Sequence, residues 1–199
     1  MIERSTEISV GPVSYTYRAS ALGPLRTFTL LEDGIDWVAG IQSGHIPYRS
    51  VRCVRMSFRP TSMQSRRFVV ELWGKDAPKL QIASSTWKSI AEQERLDQSY
   101  ATFVRELHAR IARAAGPARF LQGSNPLIYW PSLVVFVMVA LGLAALIVQA
   151  KRADAIAGAA LGGAFLALYV WQGGNFIRRN RPGTYRADAL PGDVMPPSL

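Results

Sequence analysis

Residues Leu127 to Gln149 contain no charged side chain, and after the short break Ala150–Asp154 a second apolar stretch runs from Ala155 to Trp171. Few architectures accept two such segments back to back. As a helix rising about 1.5 Å per residue, the first stretch reaches roughly 35 Å, enough for a hydrocarbon core of about 30 Å. Its 13 Leu, Ile, Val and Phe residues, at about −0.3 to −0.6 kcal/mol each, favour insertion by about −5 kcal/mol before end effects. The second stretch holds only Ile156, Leu161, Phe165, Leu166, Leu168 and Val170 of that class among many Ala and Gly, which gives about −2 to −3 kcal/mol. It is expected to depend on its neighbour. A buried helical pair of a soluble protein is the competing reading, but such long charge-free helices are rare there.

The weak segment has a small-residue face, Gly158 and Gly162 with Ala159 and Gly163 beside them, which lets another helix backbone approach closely. Ala140 and Ala144 offer a matching stripe on the first segment. The spacing predicts a transmembrane hairpin over 127–177, with spans 127–149 and 155–177, and the glycine face offers homo-oligomerisation as a second use. Arg110, Arg113 and Arg119 precede the first span and Arg178, Arg179, Arg181 and Arg186 follow the second, against Lys151 and Arg152 in the turn. By the positive-inside rule both termini are expected in the cytoplasm, with the chain integral to the cell membrane. Tyr129 and Trp130 at the start, and Tyr169 and Trp171 at the end, fit one interfacial belt. Asn125 is a candidate cap before Pro126, although Pro131 could equally mark the helix start.

Residues 1–12 carry acidic side chains and lack an apolar centre, so no secretory signal is read there. The single cysteine, Cys53, excludes an intramolecular disulfide and a multi-cysteine zinc site within one chain, and is expected to act as a small apolar residue in a strand.

Before the spans lies a stretch long enough for one domain. Val13 to Ser20, Leu25 to Leu31, Ile35 to Ala39, Ser50 to Phe58, Arg66 to Trp73 and Leu80 to Ser84 are short runs rich in β-branched and aromatic residues, separated by turn residues such as Gly23-Pro24 and Asp33-Gly34. An antiparallel meander is expected. From Gln93 to Ala115 the period changes: Leu96, Tyr100, Phe103, Val104, Leu107 and Ile111 mark one face of an amphipathic helix. Glu92, Glu94 and Asp97 lie early in it and Arg105, Arg110 and Arg113 late, the order the helix dipole favours. Gly116-Pro117 ends the helix, and residues 117–126 read as a basic linker into the membrane.

Strands followed by one closing helix, with the runs Leu30-Leu31-Glu32-Asp33-Gly34-Ile35-Asp36-Trp37 and Gly44-His45-Ile46-Pro47-Tyr48-Arg49-Ser50-Val51-Arg52-Cys53-Val54, resemble the bacterial PH-like (pleckstrin-homology-like, or GRAM-like) domains. The resemblance covers residues 13–116. It implies an α+β fold, an antiparallel PH-like barrel or sandwich capped by its C-terminal helix, and a recognition platform for lipid head groups, peptides or proteins. An unrelated small barrel or an α+β sandwich is the alternative, and fold alone does not establish function.

Arg49, Arg52, Arg55, Arg59, Arg66 and Arg67 crowd one expected hairpin and form a candidate surface for anionic lipid or an acidic partner. Strand alternation divides them, because Arg52 shares parity with Val54, Met56 and Phe58 while Arg55 and Arg59 share it with Val51, Cys53 and Ser57. The net charge of +9 is accounted for by span flanks and strand surfaces, and the aromatics do not interleave with the basic run, so no nucleic-acid partner is expected. No nucleophile, metal or phosphate motif is found, and no cofactor or catalytic residue is assigned. His108, beside Leu107, reads as a helix-surface or boundary residue. The spans lack charged residues and His, so no ion pathway is expected through this chain alone.

The Pro-rich tail, residues 178–199, is expected to be extended. It is either disordered or a docking strip anchored by Tyr185, Leu190, Val194 and Met195. Taken together, the sequence points to a membrane-anchored cytoplasmic PH-like adaptor for a protein partner or an accessory subunit of a membrane complex. An anionic-lipid sensor built on the arginine hairpin is the alternative, and an enzyme with an unrecognised cytoplasmic site the third.

Overall fold

The computed structural model describes residues 12–60, 66–89 and 92–197, so the N-terminal segment lies outside the described residues except for Pro12. The chain divides into two units. The first comprises residues up to Val54 together with Val70–Arg119, the second Arg55–Val69 and Phe120–Pro197.

The first unit begins with an antiparallel meander, β1 (Val13–Arg18), β2 (Leu25–Leu30), β3 (Gly34–Ala39) and β4 (Gln42–Pro47), paired in that order. Register places Phe28 opposite Tyr15 and Trp37, and Leu30 opposite Ile35, which in turn faces Ile46. Tyr15, Tyr17, Phe28, Leu30, Ile35 and Ile46 are all buried. Ser14–Thr29 and Thr16–Thr27 hydroxyl pairs line the opposite face of the sheet. Strands β1 and β2 are therefore two-faced, as period-two alternation requires. The strand β4 has no such sequence pattern. Only Ile46 in it is buried, and its backbone is held by pairing with β3.

After a 3₁₀ turn at Tyr48–Ser50 come β5 (Val51–Phe58), β6 (Phe68–Gly74) and β7 (Leu80–Ala83). Within the first unit β6 lies between β5 and β7. A two-stranded ribbon, β8 (Ser85–Trp87) with β9 (Gln93–Arg95), follows. The closing helix α1 is Asp97–Arg113, shorter at its start than the expected Gln93–Ala115 because residues 93–95 are paired with β8. Glu92 and Glu94 consequently lie outside the helix, and only Asp97 remains acidic in its first turn. Its buried stripe is Tyr100, Phe103, Val104, Leu107 and Ile111, as the periodicity predicts, while Leu96, expected in the same stripe, is half-buried and precedes the helix. Tyr100 and Phe103 meet the Tyr15 ring at centroid distances of 6.1 and 5.4 Å. Each such side chain contributes about 1.5–3 kcal/mol of burial. Ala115, at φ 50°, breaks the helix just before Gly116.

In the second unit the stretch expected as a linker contains a strand. Residues Arg119–Gln122 form β10, which pairs with β11 (Gly183–Thr184) in the order β11-β10-β5-β6. Between them lie α2 (Pro126–Arg152) and α3 (Ile156–Arg179). Asn125 caps α2, its Oδ1 accepting from the Leu127 N–H at 3.0 Å, and Pro131 sits inside the helix, so the start is at Pro126. The two helices pack on each other across a turn in which Asp154 takes φ 55°. Both are long and apolar enough to cross a membrane, and the apolar windows are 0% and 6% buried. The described residues are thus α+β, with open antiparallel sheets and three α-helices. Among the described residues the strands do not close into a barrel.

Candidate functional site

The end of α3 is bound to β5 by one polar side chain, and the start of α2 is joined to the same place by backbone hydrogen bonds. Asn180, the residue after α3, is 1% exposed. Its Oδ1 accepts from the Phe58 N–H at 3.1 Å, while Nδ2 donates to the Phe58 carbonyl at 2.8 Å and to the Phe176 carbonyl at 3.2 Å. The amide thereby satisfies both backbone groups of Phe58, as a neighbouring strand would. Its own carbonyl accepts from the Ser124 N–H at 2.9 Å, and the Gly123 N–H donates to the Met56 carbonyl at 2.7 Å. Gly123 adopts φ +74°, and a Cβ there would strike the Asn180 and Arg181 carbonyls, so glycine is required. The Arg179 guanidinium lies 5.1 Å from the Phe58 ring centroid and reaches the Asp193 carbonyl at 3.4 Å. Sequence reasoning missed this junction, because Asn180 and Phe58 are 122 residues apart.

The six arginines of the expected hairpin fall in different units. Arg49 and Arg52 belong to the first, Arg55, Arg59, Arg66 and Arg67 to the second. Arg49 is exposed on the 3₁₀ turn and Arg52 is exposed on β5. Arg52 shares strand parity with the buried Val54, Met56 and Phe58, yet Val51 is the buried neighbour. The inward side therefore changes parity as β5 leaves the 3₁₀ turn. Arg55 and Arg67 are half-buried, while Arg59 and Arg66 are exposed. The Arg59 N–H donates to the Arg67 carbonyl at 2.8 Å, joining the two strand ends immediately beyond Phe58.

Within the first unit an open cleft of about 440 Å³ is lined by Glu32, Asp33, Tyr48, Arg49, Arg110 and Arg113 with Pro47 and Ala114. Arg110 is largely committed: its Nη1 donates to the Leu30 and Leu31 carbonyls at 3.0 and 2.7 Å, and its Nε to Glu106 at 2.7 Å. Burial opposes its charge, but hydrogen bonds and attraction from Glu106 and Tyr48 outweigh this and hold the guanidinium above its ordinary pKa. The Tyr48 hydroxyl donates to the Leu31 carbonyl at 3.0 Å. Burial pushes it up to about 12, against the opposing effect of Arg110, so it stays protonated at neutral pH. These contacts fasten α1 to the β2–β3 turn. The cleft presents both charge signs.

His108 is not at the helix surface. It is fully buried, with Nδ1 2.7 Å from the Val104 carbonyl. A carbonyl only accepts, so Nδ1 carries the proton. Burial depresses its pKa to about 4, the backbone hydrogen bond opposing, and the ring is neutral at pH 7. His45 lies on the exposed sheet face between two carboxylates, Nδ1 at 2.6 Å from Asp36 and Nε2 at 3.6 Å from Asp33. Among the described residues no cluster of three or more His, Cys, Asp or Glu is arranged to hold a metal ion.

The helix seam shares Gly162 with the expected small-residue stripe but not Gly158. A Cβ at Gly162 would lie 3.0 Å from Ile147 Cγ1, and one at Gly173 would enter the Phe136 ring. Phe136 also stacks on Tyr169 at 4.9 Å, and the Tyr169 hydroxyl points to the Phe136 carbonyl at 3.4 Å. Ala140 and Ala144 are half-buried, but Gly158 is exposed and a Cβ there would meet only Ala155 within 4 Å. In the tail, Tyr185 packs on Phe120 at 5.7 Å and its N–H donates to the Phe120 carbonyl at 3.2 Å. Leu190 is half-buried, Val194 and Met195 are buried, and residues 192–194 form a 3₁₀ turn where extended chain is expected.

No family model, curated protein or solved structure matches this chain.

Proposed function

We propose that this chain is a membrane-anchored recognition protein, its α2–α3 pair spanning the bilayer and its N-terminal α+β domain serving as a PH-like platform for a protein partner. The observation that carries the anchor is the exposure of α2: an 18-residue apolar window of mean hydropathy 2.7, 0% buried, calls for a hydrocarbon solvent. The succession of a four-strand meander, the β5-β6-β7 sheet and a closing helix supports the PH-like reading. The full burial of His108 supports a non-catalytic role for that residue, because a general base must face a substrate proton. The natural role of such a chain is to recruit a protein to the membrane or to serve as accessory subunit of a complex there. Affinity purification of the full chain in mild detergent from its native host tests this. A stoichiometric co-purifying protein, retained from low to moderate salt, is expected; a chain that runs alone throughout that range overturns it.

A further inference from the structure

Eight arginines and two aspartates occupy the parts of the second unit that flank the outer end of the helical pair, namely residues 55–69, 120–126 and 178–197. Arginines beside a span ordinarily set its orientation, but that rule counts basic residues within roughly 15–20 positions of the span. Arg59, Arg66 and Arg67 precede α2 by far more than this, so orientation does not account for them. The Asn180 junction brings them there nonetheless. Arg178 is the first charged residue after the apolar part of α3, and Asn180 lies about 3 Å further along the axis at 1.5 Å per residue. Phe58 is hydrogen-bonded to Asn180, and Arg59 follows Phe58 and joins Arg67. The head-group region of one leaflet is roughly 5–8 Å deep, so this strand end falls within it when α3 spans.

We infer that Arg59, Arg66, Arg67, Arg178 and Arg181 form an interfacial site for the phosphodiester head groups of anionic lipids. Arg59, Arg66, Arg178 and Arg181 are exposed and Arg67 half-buried, and guanidinium forks match phosphate oxygens. Two sequence-distant segments share the site because Asn180 fastens one to the other. It differs from the expected six-arginine surface by omitting Arg49 and Arg52, which belong to the first unit, and the half-buried Arg55 of β5, and by adding Arg178 and Arg181 from the end of α3. The inference rests on α2 and α3 being spans.

The test compares full-length wild type with Arg59→Gln/Arg66→Gln/Arg67→Gln and with a charge-matched control, Arg18→Gln/Arg26→Gln/Arg105→Gln, all in mixed phosphatidylglycerol and phosphatidylcholine micelles. Native mass spectrometry reads the bound lipid. Wild type should retain phosphatidylglycerol preferentially, in a manner weakened by salt and unchanged from pH 6 to 8. At about fivefold per arginine, the triple variant should lose at least tenfold in that preference while the control keeps it. Equal retention of the two lipids by wild type overturns the inference without reference to any variant. Thermal stabilisation by inorganic phosphate in phosphatidylcholine vesicles equal to that by phosphatidylglycerol would assign the arginines to a soluble anion and overturn it too. Resistance to carbonate extraction from phosphatidylcholine vesicles reports the spans separately, so loss of the anchor is distinguished from loss of the lipid site.

Discussion

Two polar side chains in apolar surroundings show how a single residue is used here. His108 lies four residues after Val104 and eight after Tyr100, on the buried face of α1, and that spacing was the available signal for its burial. Its folded pKa of about 4 lies below the ordinary 6.5, so the unfolded chain takes up a proton first as pH falls. Stability associated with the neutral ring is complete above pH 6.5, declines below it and levels off beneath pH 4. The total is on the order of 3 kcal/mol. Thermal unfolding of the full chain in detergent should show His108→Leu flattening this pH dependence relative to wild type between pH 7 and 4.5; parallel profiles would contradict the assignment. Asn180 is of the opposite kind. Nothing near it in sequence marks it as a strand partner, and its role exists only because Phe58 arrives from elsewhere.

Among the elements, helices were the more legible. The stripe of α1 and the charge-free length of α2 are local periodic signals, and they located both helices to within a few residues. Strands β4 and β10 carried weaker ones. Residues Gln42–Pro47 have little β-branched or aromatic content, and Arg119–Gln122 read as a basic linker; both become strands because an adjacent edge offers hydrogen bonds. The α2–α3 seam was legible only in part, at Gly162 but not at Gly158, since small residues permit close approach without choosing which large side chain fills the gap. Filling the seam should therefore discriminate among glycines. Gly162→Leu and Gly173→Leu are expected to destabilise the pair by about 1–3 kcal/mol through overpacking, against Ile147 and Phe136 respectively, while Gly158→Leu changes little. Detergent-titrated unfolding measures the three; an equal effect from Gly158→Leu would refute the observed register.

For the whole molecule, the Ser124–Asn180 hydrogen bond sets the start of α2 beside the end of α3, so a spanning pair leaves both flanking regions on one side of the membrane. In a Cys53→Ala background, Asp154→Cys should react with an impermeant maleimide from outside intact cells, and Asp188→Cys only after permeabilisation. Labelling of Asp188→Cys in intact cells would reverse the expected orientation and remove the cytoplasmic setting proposed for the N-terminal domain. What the sequence determined by itself is whatever neighbouring residues decide: two apolar segments, their helical form, the buried stripe of α1, and an N-terminal region of short strands. Each follows from a period or a charge-free length along the chain, with no knowledge of distant contacts. Tertiary structure alone decided the open sheets, the pairing of β10 and β11 beside β5, the burial of Val194 and Met195, and the Asn180 junction that gathers arginines from two segments. The physical reason is that a backbone hydrogen-bonding edge, or a buried amide, is satisfied by whichever partner the fold delivers, and that partner leaves no mark on the local sequence.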